Sequence, residues 1–451
     1  MRKRFLLLLI VVGVGLLIAG GCGKREVGAP PAGERAGKGI TLRVTWFQWQ
    51  PADLLTKLAE DFTAETGIRV EGDYVPYPQY HERLAQEMAA GGSSWDLIVV
   101  DSQWVGEMVT GGHLVELTDW IKSKAKNIKP EEYYEATFKA YGEYPPGSER
   151  YYAVTCEQDA LGLVYRKDLF EDPKEQQAFK AKYGYDLKPP ETWHQLRDIA
   201  AFFTRPERKL YGIAMKFTRD GDCVSTDWNQ ILWCFGGELW NPETYEVRGY
   251  VNSPTAVRAL EFYKSLYSYA PPGSATYGFD EVNRAVQEGM VAMAINWYAF
   301  MPSYLDPEQS KVYDKLGFAV CPREGKHYVS LGGQGISVCA YSKKQEEALR
   351  FIDWFQSDET QWKWVDGGGY TGKKSILNTE RFARARPYNE AFRKTLPLLK
   401  DFWNVPEYAQ MLTVMQENLN AAVVGQKPPK QALDEIAEKQ HAILEKAGYY
   451  K

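Results

Sequence analysis

Residues 40–74 carry the pattern that most limits the architecture. Ile40–Trp46, ITLRVTW, alternates apolar side chains as a half-buried strand does. Pro51 then stands near a helix start, and Leu54, Leu55, Leu58, Ala59 and Phe62 recur at the spacing that places them on one helical face. Gly67 stops that helix and Ile68–Tyr74 begins a second strand. Strand, helix, strand in this order predicts a parallel pair, because strands pointing the same way need a crossover rather than a tight turn. A second helix over Gln79–Ala90 and a third strand over Trp95–Val100 extend the unit through Gly91-Gly92. The chain therefore begins as an open parallel α/β sheet.

Ligands of such sheets gather beyond the carboxyl ends of the strands. That rule selects Gln48, Trp49 and Gln50 after the first strand, and Asp101, Gln103 and Trp104 after the third. Asp101 also suits the cap of a helix over Ser102–Gly111, and the two roles can coexist.

Tyr151–Phe170, YYAVTCEQDALGLVYRKDLF, is a second constraint. A β-type run is broken by Thr155, Glu157 and Asp159 before an apolar run resumes at Leu161, Leu163, Val164 and Tyr165. Polar groups inside a buried strand need partners or an opening, since burying one unpaired costs about 1–3 kcal/mol. Either a strand leaves one core, crosses a wet gap and enters another, or a single strand carries a bulge near Cys156. At 451 residues the chain exceeds one ordinary core, so two domains are expected.

YYAV followed by LVYRKDLFED resembles the hinge of bacterial extracellular solute-binding proteins of the maltose-binding type, where "lyYNkdLF" opens the second lobe. Arg166 stands where that family usually has Asn. FTAETGIRV is similar to the family's "FeketGikV", and the strand ending at Asp101 to its "PDvvv.d". Pro190–Leu196 resembles "P.TWdEl", and the helix opened by Ser253-Pro254 resembles "s.eaveAlefy..L". Phe279–Gly289, then MVAMAIN and Trp297-Tyr298, is similar to "F..G..AM...W", whose Trp usually lies at the ligand. Leu331-Gly332-Gly333-Gln334 before Gly335–Cys339 resembles the return crossing into the first lobe, where glycine permits close backbone approach. Gly367–Ser375 is almost a phosphate loop, but Lys374 takes the Ser/Thr position and no strand precedes it. The family's "GG.p.rks" segment accounts for it better.

The resemblance covers about residues 40–380, and the rest is expected to be helical with an amphipathic tail. It implies an α/β, two-lobed periplasmic-binding-protein fold, each lobe a mostly parallel sheet flanked by helices, joined by a multi-strand hinge. Lobe one would hold 40–155 and 335–360, and lobe two 156–334 and 361–451. It implies a monomer that captures a sugar or oligosaccharide by hinge closure and delivers it to the permease subunits of an ABC importer, with no cofactor and no catalysis.

A sugar presents hydroxyls, which carboxylates and amides bind, and apolar faces, which aromatic rings cover. The 14 Trp, 29 Tyr and 19 Phe suit that task. Besides the strand-end residues above, Glu157, Asp159, Trp297, Tyr298, Gly332, Gly333 and Tyr370 fall at strand ends or crossings. Trp228 and Trp233 join them from a helix over Trp228–Phe235, where a Trp is more often core. Glycoside hydrolysis needs acids on both sides of the bond, and Glu157 and Asp159 share one side. Gly-x-Ser-x-Gly is absent, and His81, His113, His194, His327 and His441 form no His-x3-His pair for a metal. A polyamine, metal or peptide ligand on the same fold is the alternative, with a secreted carbohydrate-active enzyme behind it.

The N-terminus predicts export. Met-Arg-Lys-Arg precedes an apolar run, Phe5–Ile18, of 14 residues, too short to span a bilayer comfortably. Ala19-Gly20-Gly21-Cys22 resembles a lipobox with Ala19 in the usual Leu position, and it also fits ordinary signal-peptidase spacing. Residues 1–21 are expected to be a signal peptide, Cys22 a lipid anchor to the cell membrane facing outside or the periplasm, and 22–39 a flexible tether. A net charge of −5 without basic blocks argues against nucleic acid as a partner. Among the other cysteines, Cys223/Cys234 and Cys321/Cys339 could bridge, or all could be buried thiols.

Overall fold

The computed structural model describes residues 39–450, so the expected signal peptide, Cys22 and all but the last residue of the expected tether lie outside the described residues. Eight strands carry the fold: β1 Thr41–Phe47, β2 Arg69–Val75, β3 Leu97–Asp101, β4 Val154–Arg166, β5 Tyr211–Ala214, β6 Val291–Trp297, β7 Leu316–Ala319 and β8 Val329–Val338. The helices that position the site are α1 Gln50–Thr66, α2 Tyr77–Ala89, α3 Trp193–Phe203, α4 Cys223–Cys234, α5 Pro254–Tyr267, α6 Phe279–Gln287, α7 Gln345–Phe355, α8 Asp358–Asp366, α9 Tyr408–Val423 and α10 Pro429–Lys446.

The first unit forms as its periodicity dictates. β1 pairs in parallel with β2 and β3, and α1 buries Leu55, Ala59 and Phe62 against them. Gly67 ends α1 in the left-handed conformation, its N–H donating to the Thr63 carbonyl at 2.9 Å.

β4 is one strand of 13 residues that serves two cores. Its first half runs antiparallel to β8, from Val154 opposite Ile336 to Ala160 opposite Leu331. Its second half runs antiparallel to β6, from Leu161 opposite Trp297, and to β7. The register slips between Thr155 and Glu157, around Cys156. Crossover and bulge are thus both properties of the same strand. β8 makes the return crossing, ending antiparallel to β3 with Asp101 opposite Gln334. The strand order is β2-β1-β3-β8-β4-β6-β5, with β7 alongside β4. β2, β1 and β3 belong to one lobe, β5, β6 and β7 to the other, and β4 and β8 are the shared hinge. Lobe one has the parallel core expected. In lobe two only β5 and β6 are parallel, because β4 enters from the opposite lobe against their direction.

Beyond β8 the chain stays with lobe one past Thr360. α8 docks on α1 through Lys363 and Asp61 at 3.0 Å, and the Tyr134 hydroxyl donates to Asn378 at 2.8 Å. α9 and α10 then cover lobe two, where Asn420 Nδ2 donates to the Phe217 carbonyl at 2.7 Å and α10 buries Leu433, Ile436, Ala437 and Leu444.

Two segments depart from their sequence patterns for identifiable reasons. Leu114–Ala140, expected to be mainly helical, holds only Thr118–Ser123 and the start of Glu135–Gly142, with a short 3₁₀ turn at Pro130–Glu132. Pro130 cannot continue a helix, and the amides of Lys126 and Asn127 instead donate to Asp353 on α7 at 2.8 and 2.9 Å. α4 starts at Cys223 rather than Trp228, because its first turns bury Ser225, Thr226, Asp227, Asn229 and Gln230 and show no apolar stripe. Cys156, Cys223, Cys234, Cys321 and Cys339 are all buried free thiols. Among the described residues no helix is long and apolar enough to cross a membrane.

The start of α3 matches its sequence signal. Thr192 Oγ1 accepts from the Gln195 amide at 3.1 Å while Gln195 Oε1 accepts from the Thr192 amide at 3.2 Å. Thr192→Ala should cost about 1 kcal/mol, seen as a lower urea midpoint at unchanged slope. An unchanged midpoint would mean that packing of Trp193, not the cap, sets the helix start.

Candidate functional site

The carboxyl ends of β1, β3 and β6 converge on a cavity of about 450 Å³ between the lobes. That lies within the range of about 300–1,000 Å³ usual for small-molecule sites. Lobe one contributes Phe47–Trp49, Pro76–Pro78, Asp101 and Gln103, and the hinge contributes Asp159 from β4 and Gly332–Gln334 from β8. Lobe two contributes Trp297, Phe300, the loop into α4 and the start of α6.

Aromatic rings form much of the wall. Phe47 meets Tyr77 edge-on at 4.9 Å, and Tyr77 meets Phe279 of lobe two at 5.6 Å. Trp297 is 8% exposed and packs against Gly332, where a Cβ would come within 2.7 Å of the indole. The other support is Lys216, whose Nζ is 5.6 Å from the Trp297 ring and pairs with Asp227 at 2.6 Å, both side chains being fully buried. Neither charge could be held there alone, because a buried ion without its partner is strongly destabilising.

The polar lining is acidic. Asp159 Oδ1 accepts from the amides of Ala160 and Ala299 at 2.8 and 3.3 Å, yet burial still pushes its carboxyl up to about 8. Gln103 Nε2 donates to Asp101 at 3.4 Å and to Asp222 at 3.3 Å, bridging the lobes. Burial drives the Asp101 carboxyl well above the usual carboxylate range, and the charges of Asp222 and Asp401 push it further.

Asp159 carries a pH prediction. Its folded pKa lies above the unfolded value, so the native state retains a proton that the unfolded chain releases. Its contribution to stability is complete below about pH 4 and is lost as pH rises towards 8. Asp159→Asn should flatten the fall of unlliganded stability between pH 4 and 8. Equal slopes in wild type and variant, by urea melts across that range, would refute it.

Of the residues selected from sequence, Gln48, Trp49, Asp101, Gln103, Asp159, Trp297, Gly332 and Gly333 are brought together around this cavity. Gln48 sits exposed at the rim with its amide on Asp53 at 3.0 Å. Gln50 lines an adjoining surface groove with Trp49 and Phe300. Trp104 lies behind the wall, stacked on Tyr77 at 6.1 Å. Glu157 is buried in the hinge, accepting from Trp364 Nε1 at 3.0 Å and the Tyr370 amide at 2.9 Å. Tyr298 and Tyr370 are core, the Tyr370 hydroxyl donating to the Tyr298 carbonyl at 3.3 Å. Trp228 and Trp233 are buried on α4, away from the lining. Sequence reasoning missed Phe47, Tyr77, Asp222, Phe279, Phe300 and Gln334. The strand-end rule reaches Tyr77 beyond β2, while no local signal marks the Asp220-Gly221-Asp222 loop.

The family model of bacterial extracellular solute-binding proteins matches residues 48–362. A probable amino-acid ABC transporter periplasmic-binding protein of Sinorhizobium fredii is 23% identical over 401 residues, 88% of each chain. The mannitol-binding protein of Pseudomonas aeruginosa is 28% identical over 331 residues, 66% of this chain and 71% of that one. An ABC transporter solute-binding protein of Agrobacterium radiobacter, solved in complex with ribitol, superposes with a TM-score of 0.79 at 27% identity, covering 90% of this chain and 99% of the other.

Proposed function

The chain belongs to the bacterial extracellular solute-binding protein family, and from that premise we propose that it is the sugar- or polyol-capturing component of an ABC importer. The observation that carries this reading is the inter-lobe cavity, in which Trp297, Phe47, Tyr77 and Phe279 offer flat faces and Asp101, Gln103, Asp159 and Gln334 offer hydroxyl acceptors. Relatives named for mannitol and ribitol support it. An amino-acid ligand, the kind named for another relative, fits less well. Its carboxylate would meet an acidic lining with, among the described residues, no Lys, Arg or His.

Ligand contacts from both lobes select the closed state, since a ligand shifts a conformational equilibrium only by its differential affinity. β4 and β8 are the hinge about which 40–155, with the segment from 335 through α8, moves against the remainder. Trp49, Asp101, Gln103, Asp159 and Trp297 bind, Gly332 and Gly333 let the β8 backbone pass close to Trp297 and to β4 at the cavity wall, and Gln48 guards the rim. Cleavage before Cys22 and its lipidation would hold the exported protein at the membrane beside its permease subunits. It acts as a monomer and returns its ligand chemically unchanged.

A thermal-shift screen of mono-, di- and oligosaccharides, polyols, amino acids and polyamines tests this. A ligand specific to the native state at a hundredfold excess over Kd adds about 2.7 kcal/mol. A rise with one sugar or polyol, recovered intact, supports the proposal. A rise only with amino acids or polyamines overturns the ligand class, and a cleaved sugar overturns the non-catalytic role.

A further inference from the structure

Six carboxyl groups line the cavity: Asp101, Asp159, Asp220, Asp222, Asp280 and Glu281. Four have local support. Asp159 accepts two backbone amides, Glu281 accepts the Gly278 amide at 3.0 Å, and Asp220 accepts the Thr218 hydroxyl at 3.0 Å. Asp280 lies exposed in the first turn of α6, where the helix dipole favours an anion.

Asp101 and Asp222 are different. They are 4% exposed each and weakly supported: the Gln103 amide reaches both at long distance, with Gln334 and the Ser102 amide beside Asp101 and the Tyr77 hydroxyl beside Asp222. Asp222 stands at the cap position of α4 but makes no cap hydrogen bond, and its Oδ1 has no partner. Gln103 Oε1 and Gln334 Oε1, on side chains 3% and 5% exposed, are also unpartnered. These three orphan atoms are acceptors, while the orphan donor of the lining is Trp49 Nε1. The nearby Lys216 is already paired with Asp227. Two buried carboxylates repel each other more strongly than they would in water, and leaving Asp222 Oδ1 unpaired adds to the cost.

We propose that the ligand is an amino-substituted sugar or polyol whose primary ammonium group sits between Asp101 and Asp222. This rests on the sugar-or-polyol reading above and narrows it. An ammonium supplies three N–H donors with its charge, matching orphan acceptors that come from both lobes. Because Asp101 belongs to lobe one and Asp222 to lobe two, the same group ties the closed state together. A quaternary ammonium would suit the rings but has no N–H for these oxygens. Among the described residues no three His, Cys, Asp or Glu side chains converge to hold a metal ion instead.

The test is titration calorimetry of the full-length exported chain, at pH 7 and low salt, on matched pairs. These are glucosamine against glucose, galactosamine against galactose, and 1-amino-1-deoxyglucitol against glucitol, with choline and spermidine alongside. An amine should bind about tenfold or more tighter than its hydroxyl counterpart, and Asp222→Asn should erase most of that preference. Asp101→Asn gives the same reading if the first variant fails to fold, with circular dichroism as the check on folding. Hydroxyl partners that bind as tightly as, or tighter than, every amine would overturn the ammonium while leaving the sugar reading intact. Binding of choline or spermidine alone, or of no member of any pair, would overturn both.

Discussion

Trp297→Ala is expected to weaken ligand binding by about 30- to 150-fold. Little of the indole's own surface is left to cover at 8% exposure, so the loss comes from removing a packed aromatic anchor and leaving a void beside the ligand. Truncating such an anchor costs about 2–3 kcal/mol, which converts to that loss of affinity. The ring is held in place by contact with the Gly332 backbone and by the Lys216–Asp227 pair. Trp297→Phe keeps a flat face and should lose much less. Calorimetry on protein shown to be folded decides the matter, and unchanged affinity in Trp297→Ala would remove the indole from the site.

Gly333→Ala should destabilise the protein by roughly 2–5 kcal/mol, from a left-handed backbone cost of about 1–2 and an overpacking cost of about 1–3. Its φ is +97°, and a Cβ there would lie 2.4 Å from the Glu157 carbonyl and 2.6 Å from the Tyr141 hydroxyl. The clash falls where β8 crosses the bulged part of β4, so the variant should also lose ligand affinity by distorting the hinge. Gly112→Ala is the control, with φ +72° and nothing within 4 Å of the added carbon. It should show the backbone cost alone. Equal losses of urea stability in the two variants would sink the argument that the hinge needs close approach at Gly333.

Much of the fold was legible from spacing. The Ile40–Tyr74 unit, the capped start of α3 and the amphipathic α10 each follow from contacts within a few residues, which periodicity records. α4 was legible only from Trp228 onward, because its first turns bury Ser225, Thr226 and Asp227, which pair with the backbone and Lys216 rather than forming an apolar face. The site divides along the same line. Asp101 and Trp297 end strands and Trp49 lies just beyond one, and position along a strand is a local property. Glu157, Tyr298 and Tyr370 share the character of site residues, yet they face one another inside the hinge.

By itself, the sequence determined the parallel first unit, and it marked the polar break within Tyr151–Phe170 and a glycine pair where close backbone approach is permitted. Tertiary structure alone decided that Asp101 and Asp222, 121 residues apart in the chain, would share one amide. It also decided that Tyr77 would face Phe279. Periodicity reports which face of an element is buried. Which two faces meet across a cleft depends on the register of β4 and β8, set by pairings between residues more than 150 positions apart.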